Sequence, residues 1–250
     1  MASSFVFFYV GQNISIPQML VDSIRWSNPG ATVVQCSDAS TPTVFGVDRK
    51  TISACDPTRL MTSRLYAFAS AGVDHTAVYV DADMLIVKPL DLPKILGNSR
   101  IAVTRRSFKR KGLFNPVQRG INFYEYANRT IDEVYPYVAC FTIAKDSTPW
   151  SAMLDILFRK AVKFHKWYGD QEAIKEYVTK NPGACLEVQE SIYGCTPDQL
   201  KNFPEASVIH FKGSQKALMT DTYFQLRAAR QRSSDRADPD VKSSDNLCDL

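Results

Sequence analysis

Short continuous apolar runs alternate along the chain with stretches in which apolar residues recur every three or four positions. Phe5 to Val10 is an unbroken apolar run ended by Gly11, the pattern of a strand buried on both faces. Ser15 is placed to cap a helix beginning near Ile16 and Pro17. Its inward face is Met19, Leu20, Ser23, Ile24 and Trp26, and Asn28-Pro29-Gly30 stops it. Thr32 to Cys36 predicts a second strand and Val44 to Val47 a short third. Asp56-Pro57 then sets a helix start, with Asp at the cap and Pro at the first helical position. That helix runs to about Ala71 on a stripe of Leu60, Met61, Ala67, Phe68 and Ala71. Arg64 falls on the same stripe, so it has a partner or snorkels.

Residues 77 to 90, AVYVDADMLIVKPL, predict a buried strand, followed by a turn through Pro93 to Gly97 and a strand at Ile101 to Thr104. Strand and helix alternate throughout, which is the signature of an α/β layer with a mainly parallel sheet in a single domain. Residues 105 to 133 read as polar and irregular, a mobile flap or acceptor-binding loop. A strand resumes at Tyr137 to Ala144. Thr148-Pro149 starts a helix lined by Trp150, Met153, Leu154, Leu157, Phe158 and Ala161. Another runs from Asp170 to Asn181-Pro182-Gly183, before strands at Leu186 to Val188 and Val208 to Phe211. From Arg227 the chain turns polar, so residues 1–226 are expected to form the domain and 227–250 a disordered tail.

Composition narrows this picture. The 250 residues, 45% hydrophobic and 22% charged, describe one ordinary globular domain, and the net charge of +4 is too mild for a nucleic-acid-binding protein. No apolar run approaches the ~20 residues of a membrane span. The N-terminus lacks the basic segment and apolar core of a secretory signal. Six cysteines without a CxxC pair fit free thiols in a reducing compartment, so a cytoplasmic location is expected. Basic residues gather at Arg105, Arg106 and Lys109 to Lys111, and again at Arg227, Arg230, Arg232 and Arg236. A solvated surface accounts for such clusters; the alternative is attraction to an anionic acceptor or to lipid head groups, giving a peripheral membrane contact.

Three places carry candidate chemistry. Asp81 and Asp83 end an apolar run, and in extended chain they would share a side roughly 7 Å apart, where they could clamp a divalent ion. An acidic turn after a buried strand would also leave this pattern. Ile209-His210-Phe211-Lys212-Gly213-Ser214-Gln215-Lys216 offers an imidazole for a metal, a glycine that lets backbone approach a phosphate, and a lysine to neutralise it; a strand-end histidine beside a surface lysine is the plainer alternative. Tyr168-Gly169-Asp170-Gln171 places an acid and an amide beside Trp167 and Tyr168, where a sugar could rest. Asp170 could equally be a helix cap.

In this order, the basic residue of Thr62-Ser63-Arg64-Leu65, YVDADMLIVKPL, GDQ and HxxGxxK resemble the metal-dependent GT-A glycosyltransferases, particularly the retaining glycogenin- and galactosyltransferase-like family 8. The resemblance implies a Rossmann-like GT-A domain in which Asp81, Asp83 and His210 bind Mn²⁺ or Mg²⁺. It further implies that Gly213 and Lys216 contact the phosphates of a nucleotide-sugar donor, a UDP-sugar, with Arg64 near the donor. Asp170 and Gln171 would lie beside the transferred sugar, and Tyr9 and Gly11 near the nucleobase. The implied reaction moves the sugar to a hydroxyl of a glycan or lipid-linked glycan with retention; if it inverts, Asp170 is the first candidate base. A nucleotidyltransferase on a similar scaffold and a non-catalytic nucleotide-sugar-binding module are the alternatives.

Overall fold

The computed structural model describes residues 3–108 and 112–237, with side chains described to residue 232. The chain opens with β1 (Ser4–Phe8), α1 (Ser15–Ser27), β2 (Thr32–Ser37) and β3 (Arg49–Ile52), followed by α2 (Leu60–Ala69) and β4 (Ala77–Asp81). A tight turn leads to β5 (Met84–Ile86), then α3 (Leu92–Leu96) and β6 (Ile101–Arg105). A small hairpin, β7 (Val117–Gln118) and β8 (Ile121–Asn122), and α4 (Ile131–Val134) follow. After β9 (Tyr137–Ala144) come α5 (Thr148–Phe158), α6 (Val162–Lys166) and α7 (Gly169–Lys180). The last elements are β10 (Cys185–Gln189), α8 (Glu190–Tyr193), β11 (Val208–His210) and α9 (Met219–Ala237).

Seven strands form one sheet in the order β10-β6-β9-β4-β1-β2-β3. All neighbours are parallel except at β9, which is antiparallel to both β4 and β6. β5 leaves this sheet and pairs antiparallel with β11. Alternation along the strands sorts the core into two layers. Val6 and Tyr79 face one side with residues of α2, α5 and α7, while Phe5, Phe7, Val78 and Val80 face the other with α1 and α3. Trp150 from α5 lies against Phe68 and Tyr79, ring centroids 4.9 and 4.6 Å away. Each such contact adds about 0.5–1.5 kcal/mol beyond area burial.

Several expectations need correction. Val44 to Val47 is not a strand; Val44 packs into the apolar core while the Gln35 side chain accepts its N–H, and the pairing strand is the more polar Arg49–Ile52 at the sheet edge. Apolar character marked burial there, not pairing. Pro93 to Gly97 belongs largely to the helix α3, whose Asp91 caps the Lys94 N–H. Helix α1 begins at Ser15 itself, and Asn13 supplies the oxygen that takes the Ser15 N–H. Phe158 is exposed rather than inward-facing.

The described part of residues 105 to 133 is organised around Phe114, Phe123 and Tyr126, which pack with Tyr135 and Tyr168. A Thr130–Glu133 capping box starts α4. Of the basic cluster, Arg105 pairs with Glu187 and Arg106 turns inward, while Lys109 to Lys111 lie outside the described residues. The tail boundary at Arg227 falls inside α9, which runs to Ala237; residues 238–250 lie outside the described residues. Tyr223 anchors that helix by stacking on Trp26 and donating to Asp22 at 2.6 Å.

Among the described residues no helix is long and apolar enough to cross a membrane, and the described cysteines are all free thiols.

Candidate metal and diphosphate site

Asp81 is the last residue of β4, which lies next to β1 in the parallel half of the sheet. The chain does not stay extended through Asp-Ala-Asp. It turns at Ala82 and Asp83, so that β5 can leave the sheet and pair with β11. The Phe211 N–H donates to the Asp83 carbonyl at 3.0 Å, locking that turn against the end of β11. His210, the final residue of β11, is thereby brought opposite both acids.

The His210 Nε2 lies 3.6 Å from Asp81 Oδ2 and 3.4 Å from Asp83 Oδ1. One ligand atom from each residue lies within 4.8 Å of the others. An ion with bonds of about 2.1 Å at right angles separates adjacent ligand atoms by about 3 Å, so small rotations would bring this set onto one divalent cation. The other oxygen of each acid is already held. Arg64 Nη2 donates to Asp81 Oδ1 at 2.5 Å, and Lys216 Nζ lies 2.8 Å from Asp83 Oδ2. Each carboxylate is thus oriented by a cation behind it and offers its remaining oxygen toward His210, as outer partners orient metal ligands. Two carboxylates with one imidazole suit Mn²⁺ better than Mg²⁺, which prefers oxygen and water.

Burial alone would lower the His210 pKa, but the neighbouring Cys140 thiol and the Asp83 carboxylate outweigh it and push it up to about 9. Burial likewise opposes ionisation of Asp83, yet His210 and Lys216 hold its carboxyl far below the ordinary range. A divalent ion taken up by these three residues would displace the His210 proton, since only neutral imidazole ligates a metal.

Arg64 is the link that the α2 stripe anticipated. Its guanidinium, 12% exposed, also donates to Asp170 Oδ2 at 2.8 Å and to the Ala139 carbonyl at 2.8 Å, joining β4, β9 and α7. Asp170 is not the N-cap residue of α7, although its Oδ1 accepts the Gln171 N–H of the first turn at 2.8 Å. The cap position is Tyr168, in the left-handed region at φ 62°, and Asp170 turns inward, 5% exposed, with its pKa raised by burial against the pull of Arg64. The Gln171 Oε1 accepts from Arg106 Nη2 at 2.8 Å, a contact between residues 65 positions apart that no sequence pattern announces. Arg119, in the β7–β8 turn, lies 3.9 Å over the Trp167 ring.

These residues line one cleft of about 410 Å³. It gathers Arg64, Asp81, Asp83, Asp170, Gln171, His210, Gly213 and Lys216. Tyr9 and Gly11 do not line it; they lie just past β1, where Tyr9 Oη donates to the Asn13 carbonyl and the Gly11 N–H to Thr41. The lining holds five cationic side chains against three carboxylates, and although Lys212 is paired with Glu190 outside it, the other four leave a balance suited to a diphosphate. Gly213 has φ 55°, and a Cβ there would meet nothing within 4 Å, so the glycine serves the left-handed turn and leaves its face open.

Gly169 is needed for space instead. A Cβ there would overlap the Phe164 carbonyl and come within 2.7 Å of Leu157 Cδ1. Gly169→Ala is expected to destabilise the fold by about 1–3 kcal/mol as α7 shifts to relieve the overlap, and to weaken donor binding because Asp170 and Gln171 shift with it. Thermal melting and nucleotide titration of the variant check both effects.

No protein-family model and no curated protein sequence matches the chain. Among solved structures it is similar to a glycosyltransferase involved in glycosylation of the major capsid of PBCV-1, with a TM-score of 0.61 over 90% of this chain and 100% of that one, at 9% sequence identity. The fold is that of a Rossmann-like glycosyltransferase domain. At that identity the likeness concerns architecture, and the site rests on the geometry above.

Proposed function

We propose that the chain is a metal-dependent glycosyltransferase that moves a sugar from a UDP-sugar to a hydroxyl of a glycan or lipid-linked glycan with retention, in the manner of family 8. The observation that carries this reading is the convergence of Asp81 Oδ2, Asp83 Oδ1 and His210 Nε2 beside Lys216 and the open turn at Gly213.

A divalent ion held by Asp81, Asp83 and His210 would supply Lewis-acid neutralisation of the charge that develops on the leaving diphosphate. Lys216, 50% exposed at the cleft, can exchange Asp83 for a phosphate oxygen, and the Gly213 turn lets the diphosphate approach the backbone. Gln171 and the Trp167–Arg119 stack form the wall available to the sugar.

Retention is favoured by the state of Asp170. Its carboxylate is buried and engaged by Arg64, so it is poorly placed to take a proton from an acceptor on the opposite face of the sugar. In same-face transfer the acceptor oxygen bonds to the anomeric carbon as the bond to the diphosphate oxygen breaks, and the departing oxygen takes the hydroxyl proton.

Calorimetric titration of UDP into metal-free protein, with and without Mn²⁺, tests the donor site. The expected outcome is tight binding only with metal, followed by slow donor hydrolysis when UDP-sugars replace UDP. Binding indifferent to metal would overturn the assignment, and binding without turnover of any donor would point to the non-catalytic module.

A further inference from the structure

A second cavity, of about 500 Å³, adjoins the cleft and shares Lys212 and Gly213 with it. Asp81, Asp83, Asp170 and His210 are not among its lining residues, and the donor reading places no ligand in it. Its walls are polar with one aromatic face. Phe108 lines it, backed edge-to-face by Phe203 at 5.5 Å between centroids. Asp198 and Gln215 face each other across 2.5 Å, and Gln199 donates to the same carboxylate at 2.9 Å.

The charges here differ from those of the donor cleft. Lys212 is consumed by Glu190, a carboxylate 2% exposed that also accepts the Ser107 N–H at 3.1 Å. Among the described residues Asp198 meets amides and a hydroxyl; bonds from Gln199, Thr196 and Gln215 pull its pKa down to about 2, so it remains an anion. Paired carboxylate and amide groups offer acceptors and donors to sugar hydroxyls, and a phenyl ring suits the apolar face of a pyranose. A phosphate, sulfate or uronic acid brought to the same walls would meet the Asp198 charge without a free cation among the described lining residues.

The geometry points to this cavity as the acceptor subsite, taking an uncharged, hydroxyl-rich saccharide rather than the anionic acceptor that the basic clusters suggest. The inference rests on the glycosyltransferase reading and deepens it. An acceptor seated there would reach the donor cleft past Gly213, which with Lys212 lines both spaces. Its hydroxyl oxygen then forms the new bond to the anomeric carbon, the bond to the diphosphate oxygen breaks, and that oxygen takes the proton.

The test is binding of the full chain, with UDP and Mn²⁺ present, to a glycan array carrying neutral saccharides of several stereochemistries alongside uronic-acid, sialylated and sulfated ones. Retention confined to neutral glycans is expected, falling at least about tenfold in Phe108→Ala and Gln215→Ala. Asp198→Asn is expected to admit acidic glycans. UDP affinity, measured in parallel, stays within about twofold in all three, since these side chains lie outside the donor cleft. Preference for anionic glycans, signals unmoved by the substitutions, or no glycan retained while UDP binds normally would each overturn the subsite and leave the donor reading standing. Failure of the wild-type chain to bind UDP marks failure of the donor site and takes the acceptor subsite with it.

Discussion

Replacing Asp83 with asparagine is expected to weaken Mn²⁺ binding by at least about tenfold and to lower sugar transfer or donor hydrolysis by roughly 10²–10³-fold, the loss that follows when a group stabilising developing charge is removed. The substitution preserves volume and keeps the Phe211 N–H bond to the residue-83 carbonyl, so the turn that brings His210 to the acids survives. What changes is charge. A neutral amide cannot balance a divalent ion, and it leaves Lys216 without the anion that holds it 2.8 Å from residue 83. The expected pattern is therefore loss of activity with a melting temperature close to wild type. His210→Ala should reproduce the metal defect, since it removes the one nitrogen of the set. Calorimetry with Mn²⁺ followed by UDP reads each step separately. Unchanged metal affinity in both variants would show that the three residues do not form a metal site.

Arg64→Ala carries the largest expected cost in stability. Removing one partner from a buried ion pair leaves an uncompensated charge, typically about 3–5 kcal/mol. Here the guanidinium serves the buried Asp170 as well as Asp81 and the Ala139 carbonyl. At about 2–4 °C per kcal/mol for a chain of this size, the melting temperature should fall by about 6–20 °C. The deficit should also depend on pH. Burial already raises the Asp170 pKa in the folded protein above its unfolded value, and loss of Arg64 raises it further. A folded state that binds its proton more tightly gains stability as pH falls. The variant should therefore approach wild type as pH falls toward the ordinary carboxylate range, and Arg64→Ala combined with Asp170→Asn should recover much of the loss at neutral pH. A deficit of under about 1 kcal/mol, flat with pH, would mean that water replaces the guanidinium at little cost.

Arg64 also marks how far local pattern reaches. Its place on an apolar helix stripe announced a buried partner, because helical periodicity is a local property of the backbone. The partners themselves, Asp81 on β4 and Asp170 on α7, were not in that pattern. Asp170 lies 106 residues away, and only the packing of α7 beside α2 and the sheet brings it to the guanidinium.

The amino-acid order by itself determined the alternation of strand and helix, the buried central strands, the Asp56-capped 3-10 turn at Pro57 that leads into α2, the helix start at Thr148-Pro149, and the residue types of a candidate metal and diphosphate site. These depend on side-chain periodicity and turn chemistry within a few positions. Tertiary structure decided the rest. It made Asp83 a turn residue by drawing β5 out of the sheet to pair with β11, turned the Asp170 side chain inward onto Arg64, sent Arg106 to Gln171, and placed Tyr9 and Gly11 outside the cleft. Each of these depends on which strands pair and which helices meet, and such contacts are settled by burial of the whole apolar surface at once rather than by any short run of residues.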